Sequence, residues 1–121
     1  MPNPALLKAA GYGSLLVAIK HAASGKQFQR LRQFQDLPNL AYTCSTVGWY
    51  QGSGYLILTA LLNLHWARNP KALEEPLNRA MAGLLVLIAW ASSGWYLRRG
   101  VKASGILTAT AGIIQAWAAL L

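Results

Sequence analysis

Acidic side chains are nearly missing from this chain. Three of its 121 residues are Asp or Glu, against 11 Lys and Arg, and charged residues total 12%. Soluble domains average roughly 25%, so the chain has about half the usual means of covering a surface in water. The three acids, Asp36, Glu74 and Glu75, all fall in polar joints. That excludes paired-carboxylate chemistry inside an apolar segment and disfavours a proton-coupled exporter built on a buried glutamate. Cysteine is equally scarce. Cys44 stands alone, which excludes an internal disulfide framework and zinc sites of several thiolates, and it reads as a small packing residue. With only His21 and His65 and no carboxylate at depth, neither a metal nor another cofactor is expected. No GxSxG, HExxH, P-loop or Gly-rich dinucleotide fingerprint occurs.

What is present is apolar. Hydrophobic residues make up 55% of the chain, which excludes intrinsic disorder and argues against an ordinary soluble globule. A net charge of +8 would suit nucleic acid, but the bases lie between apolar runs and form no stripe within one element. No nucleic-acid partner is expected. A membrane protein accounts for both numbers, and the length permits a single domain, 1–121.

Polar punctuation at 24–39, 67–79 and 98–102 leaves four segments, 4–23, 40–66, 78–97 and 101–121. Each is close to the roughly 20 helical residues that cross about 30 Å of hydrocarbon. In the first, Pro2 and Pro4 suit a helix start, and Lys8 and Lys20 lie about 18 Å apart along the axis, so both would snorkel to opposite interfaces. A cleaved signal peptide competes, although Lys20 and His21 fall where small cleavage-site residues should begin. The third segment closes with Trp95 and Tyr96 against Arg98 and Arg99, an interfacial pairing. The joint after it is short enough to force an antiparallel hairpin. In the first joint Phe28, Leu31 and Phe34 recur every three residues, so either a short interfacial turn buries them at headgroups or the segment is a solvated loop. Asp36 to Asn39 reads as the next helix start.

The expected fold is therefore all-α, a four-helix transmembrane bundle in a multi-pass integral membrane protein. Its location would be an endomembrane in a eukaryote and the inner membrane otherwise. Counting Lys and Arg, joints one and three hold six and the opposite side four, which places both termini away from the cytoplasm.

Small and polar residues mark contact faces in a bilayer. The second segment has Ser45, Gly48, Gly52, Tyr55, Thr59 and Asn63 in steps of three and four, including a GxxxG pair. Val47, Leu58, Leu61 and Leu64 would face lipid. The other segments offer Gly11, Ser14, Ala18 and His21; Ala82, Val86, Ala89, Ser93 and Tyr96; and Ser104, Thr108, Gly112, Gln115 and Ala119.

Chemistry must come from polar residues inside or at the edge of these spans. His21 is an acid–base candidate near neutral pH, or an interfacial cap. Gln51, about 16 Å into its helix, needs a partner; it either orients a ligand or glues helices, and the same holds for Gln115. The catalytic candidates are His21, Gln51 and Ser93. The substrate-binding candidates are Ser14, Trp49, Tyr55, Trp90, Tyr96 and Gln115. Trp95 and Tyr96 also fit an interface belt.

At Gly48-Trp49-Tyr50-Gln51-Gly52-Ser53 and Ser92-Ser93-Gly94-Trp95-Tyr96-Leu97 the chain resembles the small four-span membrane proteins of fungal secondary-metabolite clusters, among them proteins similar to the DoxX and anthrone-oxygenase families. The resemblance implies a membrane-embedded enzyme or helper for a lipophilic polyketide or terpenoid, working without metal or organic cofactor. Three functions follow as expectations. The first is an enzyme of cyclase, isomerase or oxygenase type holding a lipophilic small molecule. The second is an assembly subunit forming a homo-oligomer through the Gly48/Gly52 face, and the third a small-molecule transporter or channel.

Overall fold

The computed structural model describes residues 1–121. It is all-α, with five helices, one 3-10 turn and no strand. Helix α1 spans Pro4–Gln29. Its start is fixed by Asn3, whose side-chain oxygen accepts from the Leu6 N–H at 3.0 Å, with Pro4 in the first turn, where a missing N–H costs nothing. The helix runs six residues past the joint expected at 24. Nothing in 24–29 lacks an N–H, and Ser24 turns its hydroxyl back onto the Lys20 carbonyl at 2.7 Å, so the polar composition does not interrupt the backbone ladder.

Leu31 adopts extended backbone and breaks the helix before a single turn, α2, Arg32–Gln35. Pro38 then precedes α3, Asn39–Arg68, of 30 residues, about 45 Å long. The second joint folds into a 3-10 turn, Pro70–Glu74, that tucks Ala72 and Leu73 inward. Helix α4 covers Pro76–Arg98 and α5 covers Lys102–Ala119. Between them Gly100 has φ +78°. That left-handed conformation is open to glycine at little cost, and it lets three residues reverse the chain.

Helices α1 and α3 form one hairpin and α4 and α5 the other. Glycines set both spacings. At Gly11 the α3 backbone comes close enough that a Cβ would lie 3.2 Å from the Ala60 carbonyl and 2.8 Å from Leu64, and at Gly105 it would meet Leu97 at 2.6 Å. The hairpins join around Leu7, Trp66, Leu73, Ala82, Leu85, Ala118 and Ala119. Trp66 is fully buried, and its indole N–H donates to Asn78 Oδ1 at 2.9 Å.

The inward stripes expected for the first, third and fourth segments are present: Gly11, Ala18, Ala82, Val86, Ser93, Gly112, Gln115 and Ala119 are buried. The second agrees in part. Gly52, Tyr55, Thr59 and Asn63 face inward and Val47, Leu58 and Leu61 are exposed, but Ser45 and Gly48 are exposed as well, and Leu64, expected to face lipid, packs on Gly11. The face turned to α1 also carries Trp49, Ser53 and Ala60.

Only 20 of 121 residues are buried, and exposed large apolar side chains outnumber buried hydrophobic residues by more than two to one. One helix, α4, is long and apolar enough to cross a membrane, with a mean hydropathy of 1.5 over its best window. The other three long helices fall short of the expected spans in apolarity. Lys8, Lys20 and Lys26 dilute α1, and polar residues on both the contact faces and the exposed faces of α3 and α5, such as Asn63, Gln51, Gln115 and Lys102, lower their means.

Candidate functional site

His21 lies on the α1 face turned to α3, three turns from the helix start of the inward stripe at Gly11. Its imidazole stacks on the Trp49 indole, with ring centroids 3.8 Å apart and planes 10° from parallel. Nδ1 is 2.8 Å from Ser53 Oγ. Gly52 makes room: a Cβ there would stand 3.2 Å from His21 Cε1. Trp49 and Ser53 are one turn apart on α3, so one helix face supplies both the stacking surface and the hydrogen bond.

The indole is fixed in turn. Trp49 Nε1–H donates to the His21 carbonyl at 2.8 Å, crossing α1 over Gly25, where a Cβ would fall 2.8 Å from Cδ1 and Nε1. Any larger residue at 25 would block that approach. Phe28 stands edge-on to Trp49 at 4.4 Å, Phe34 meets Phe28 at 5.6 Å, and Tyr42 meets Phe34 at 5.1 Å. Phe28 and Phe34 thus close an aromatic cap over the end of the first hairpin, whereas Leu31 remains exposed. Gln29 completes the rim. Its Oε1 accepts from Tyr50 at 3.4 Å, and its Nε2 is buried without a partner.

The chemical consequence is a histidine held at one nitrogen and free at the other. His21 Nε2 has no hydrogen-bond partner within the chain. The Ser53 contact fixes ring orientation, and the stack on Trp49 fixes the plane.

The remaining candidates do not join it. Gln51 is exposed on α3 and makes no side-chain hydrogen bond; its helical position is a full step away from Gly52 and Ser53. Ser93 is buried in the other hairpin, where its hydroxyl donates to the Gly105 carbonyl at 2.7 Å. No hydrogen bond links any two of His21, Gln51 and Ser93. Gln115 glues helices: it exchanges two hydrogen bonds with Asn63, 2.7 Å and 3.0 Å, across the hairpin interface. Tyr55 does the same work, donating to the Leu85 carbonyl at 3.2 Å. Trp90 lies over Gly112, Tyr96 is half-buried near the end of α4, and Ser14 is half-buried on α1. His65 is exposed in the last turn of α3.

Ser53 and Gly25 are the residues that sequence reasoning did not assign to the site or its support. Ser53 follows Trp49 by four and Gly25 follows His21 by four. That paired spacing is the signal that could have found them. No three His, Cys, Asp or Glu side chains gather as a metal site. No family model, curated protein or solved structure matches the chain.

Proposed function

We propose that the protein is an integral membrane bundle whose four long helices cross the bilayer, and that it isomerises or cyclises a lipophilic small molecule by proton transfer at His21 Nε2. The observation that carries the chemistry is the histidine anchored at Nδ1 by Ser53 with Nε2 unpaired. A second-nitrogen anchor of this kind presets the ring for general acid–base work. The membrane setting is supported by the outward face of every long helix. Leu16, Ile19, Leu58, Leu61, Leu84, Leu87, Ile106 and Ile113 are all exposed, a surface that water would not tolerate over a contiguous patch.

Part of the polarity fits this setting: Asn63 and Gln115 point into helix contacts, whereas Thr43, Ser45 and Gln51 of α3 are exposed. The bases at joints one and three would face the cytoplasm.

An isomerisation or cyclisation by proton transfer conserves mass. Lipid extracts of host cells producing the wild type should therefore contain a compound that an isobaric precursor replaces when His21→Gln is produced at equal folded yield. Identical extracts from both would reject the catalytic role of His21. Removal of detergent should precipitate the purified chain; a monodisperse detergent-free sample would reject the membrane setting.

The assembly reading rests on a less suitable face. Gly52 is occupied within the chain by His21, and Gly48 alone of the GxxxG pair is open.

A further inference from the structure

The two ends of the bundle differ in charge. Joints one and three bring Lys26, Arg30, Arg32, Arg98, Arg99 and Lys102 to one end, with Asp36 as the sole acid. Asp36 lies 3.7 Å from Arg32, and this is the chain's one salt bridge. The remaining acids, Glu74 and Glu75, sit at the far end in the 3-10 turn and at its close. Arg98 and Arg99 therefore stand side by side at the end of α4 with no carboxylate to answer them.

They are not merely dispersed surface charges. Together with Trp95 they line an open groove of about 330 Å³. Trp95 is 67% exposed, one turn before Arg98 and Arg99, and so presents its indole beside both guanidiniums. Two planar guanidiniums next to an amphipathic indole match a phosphate diester carrying acyl chains. The guanidiniums hydrogen-bond phosphate oxygens in fork geometry, and the indole takes the glycerol and upper acyl region where aromatic residues concentrate. The same side of α4 carries Leu84 and Leu87, both exposed, each three helical turns before Trp95 and Arg98 respectively.

The geometry points to a binding site for an anionic phospholipid at Trp95, Arg98 and Arg99, with the phosphate held by the two arginines. This inference rests on the membrane setting proposed above, and commits to lipid because the exposed indole and apolar flank have no role toward a free ion. The site sits at the end of α4 that carries most of the positive charge, so it would fasten the α4–α5 hairpin to the anionic leaflet.

The test is native mass spectrometry of the detergent-solubilised chain with dioleoyl phosphatidylglycerol or dioleoyl phosphatidylcholine added. The wild type should retain phosphatidylglycerol on the order of thirtyfold more strongly than phosphatidylcholine, from roughly 1 kcal/mol for each of the two arginines at such a surface. R98Q/R99Q should fall to the phosphatidylcholine level, W95A should lose part of the preference, and K71Q/R79Q, at the opposite end, should keep it. Equal preference in R98Q/R99Q and wild type would overturn the site, as would displacement of the lipid by millimolar inorganic phosphate. Failure of the membrane setting reads differently: the wild type would then remain monodisperse after detergent removal, whatever lipid it retains.

Discussion

The imidazole of His21 lies flat against the indole of Trp49, with centroids 3.8 Å apart, and the same indole donates its N–H to the His21 backbone carbonyl. One residue of α3 thus grips both the side chain and the main chain of a single residue of α1. Trp49→Phe keeps an aromatic face but removes the donor. It should cost about 1 kcal/mol of stability, and Trp49→Ala about 3–5 kcal/mol. Thermal unfolding in detergent measures both. His21 ring-proton NMR signals, shifted upfield by the indole, should return toward ordinary values only in Trp49→Ala.

Glycine substitutions should divide by what a Cβ would meet. Gly25→Ala drives a methyl into a tryptophan that is pinned by the stack and the hydrogen bond, and should destabilise by about 1–3 kcal/mol. Gly13→Ala meets nothing within 4 Å and should stabilise α1 by about 0.5–1 kcal/mol through helix propensity. Equal shifts in melting temperature for the two would contradict the packing at Gly25.

The reciprocal amide pair at the hairpin interface predicts strong non-additivity. Asn63→Leu or Gln115→Leu leaves one buried amide without its partner, at about 1–3 kcal/mol each. The double variant N63L/Q115L removes both orphaned groups, so its loss should be smaller than the sum of the singles. A double-mutant cycle in melting experiments reads the difference directly.

Leu87 separates a lipid surface from a watery one. It is 63% exposed near the middle of α4. Leu87→Arg should cost about 2.5–3.5 kcal/mol in insertion assays if hydrocarbon surrounds it. On a water-facing helix the same change should stay within about 0.5 kcal/mol.

Much of this architecture was legible in the chain. Segment boundaries fell within a few residues of the helices at α3, α4 and α5, because prolines, polar joints and glycine punctuate locally. The contact stripes of α1, α4 and α5, and the part of the α3 stripe from Gly52 to Asn63, were legible for the same reason: small residues repeat at the spacing of one helix face. His21, expected on such a face, packs there against α3. Gln51 was misplaced, and Ser53 overlooked, since each residue along a helix turns the side chain by about 100°. An error of one or two positions therefore carries a polar group from a contact to the outside.

Composition and periodicity alone determined that the chain is helical, that it divides into four long segments, and that its charge is concentrated in the joints. These are properties of neighbours along the backbone, written wherever side chains recur with the helical repeat. The tertiary structure decided how α1 and α3 are rotated against each other, that Gly25 admits an indole, and that Asn63 meets Gln115 from 52 residues away. Such pairings depend on interhelical distance and rotation, which are set by the packing of all the long helices at once and by no single stretch of chain.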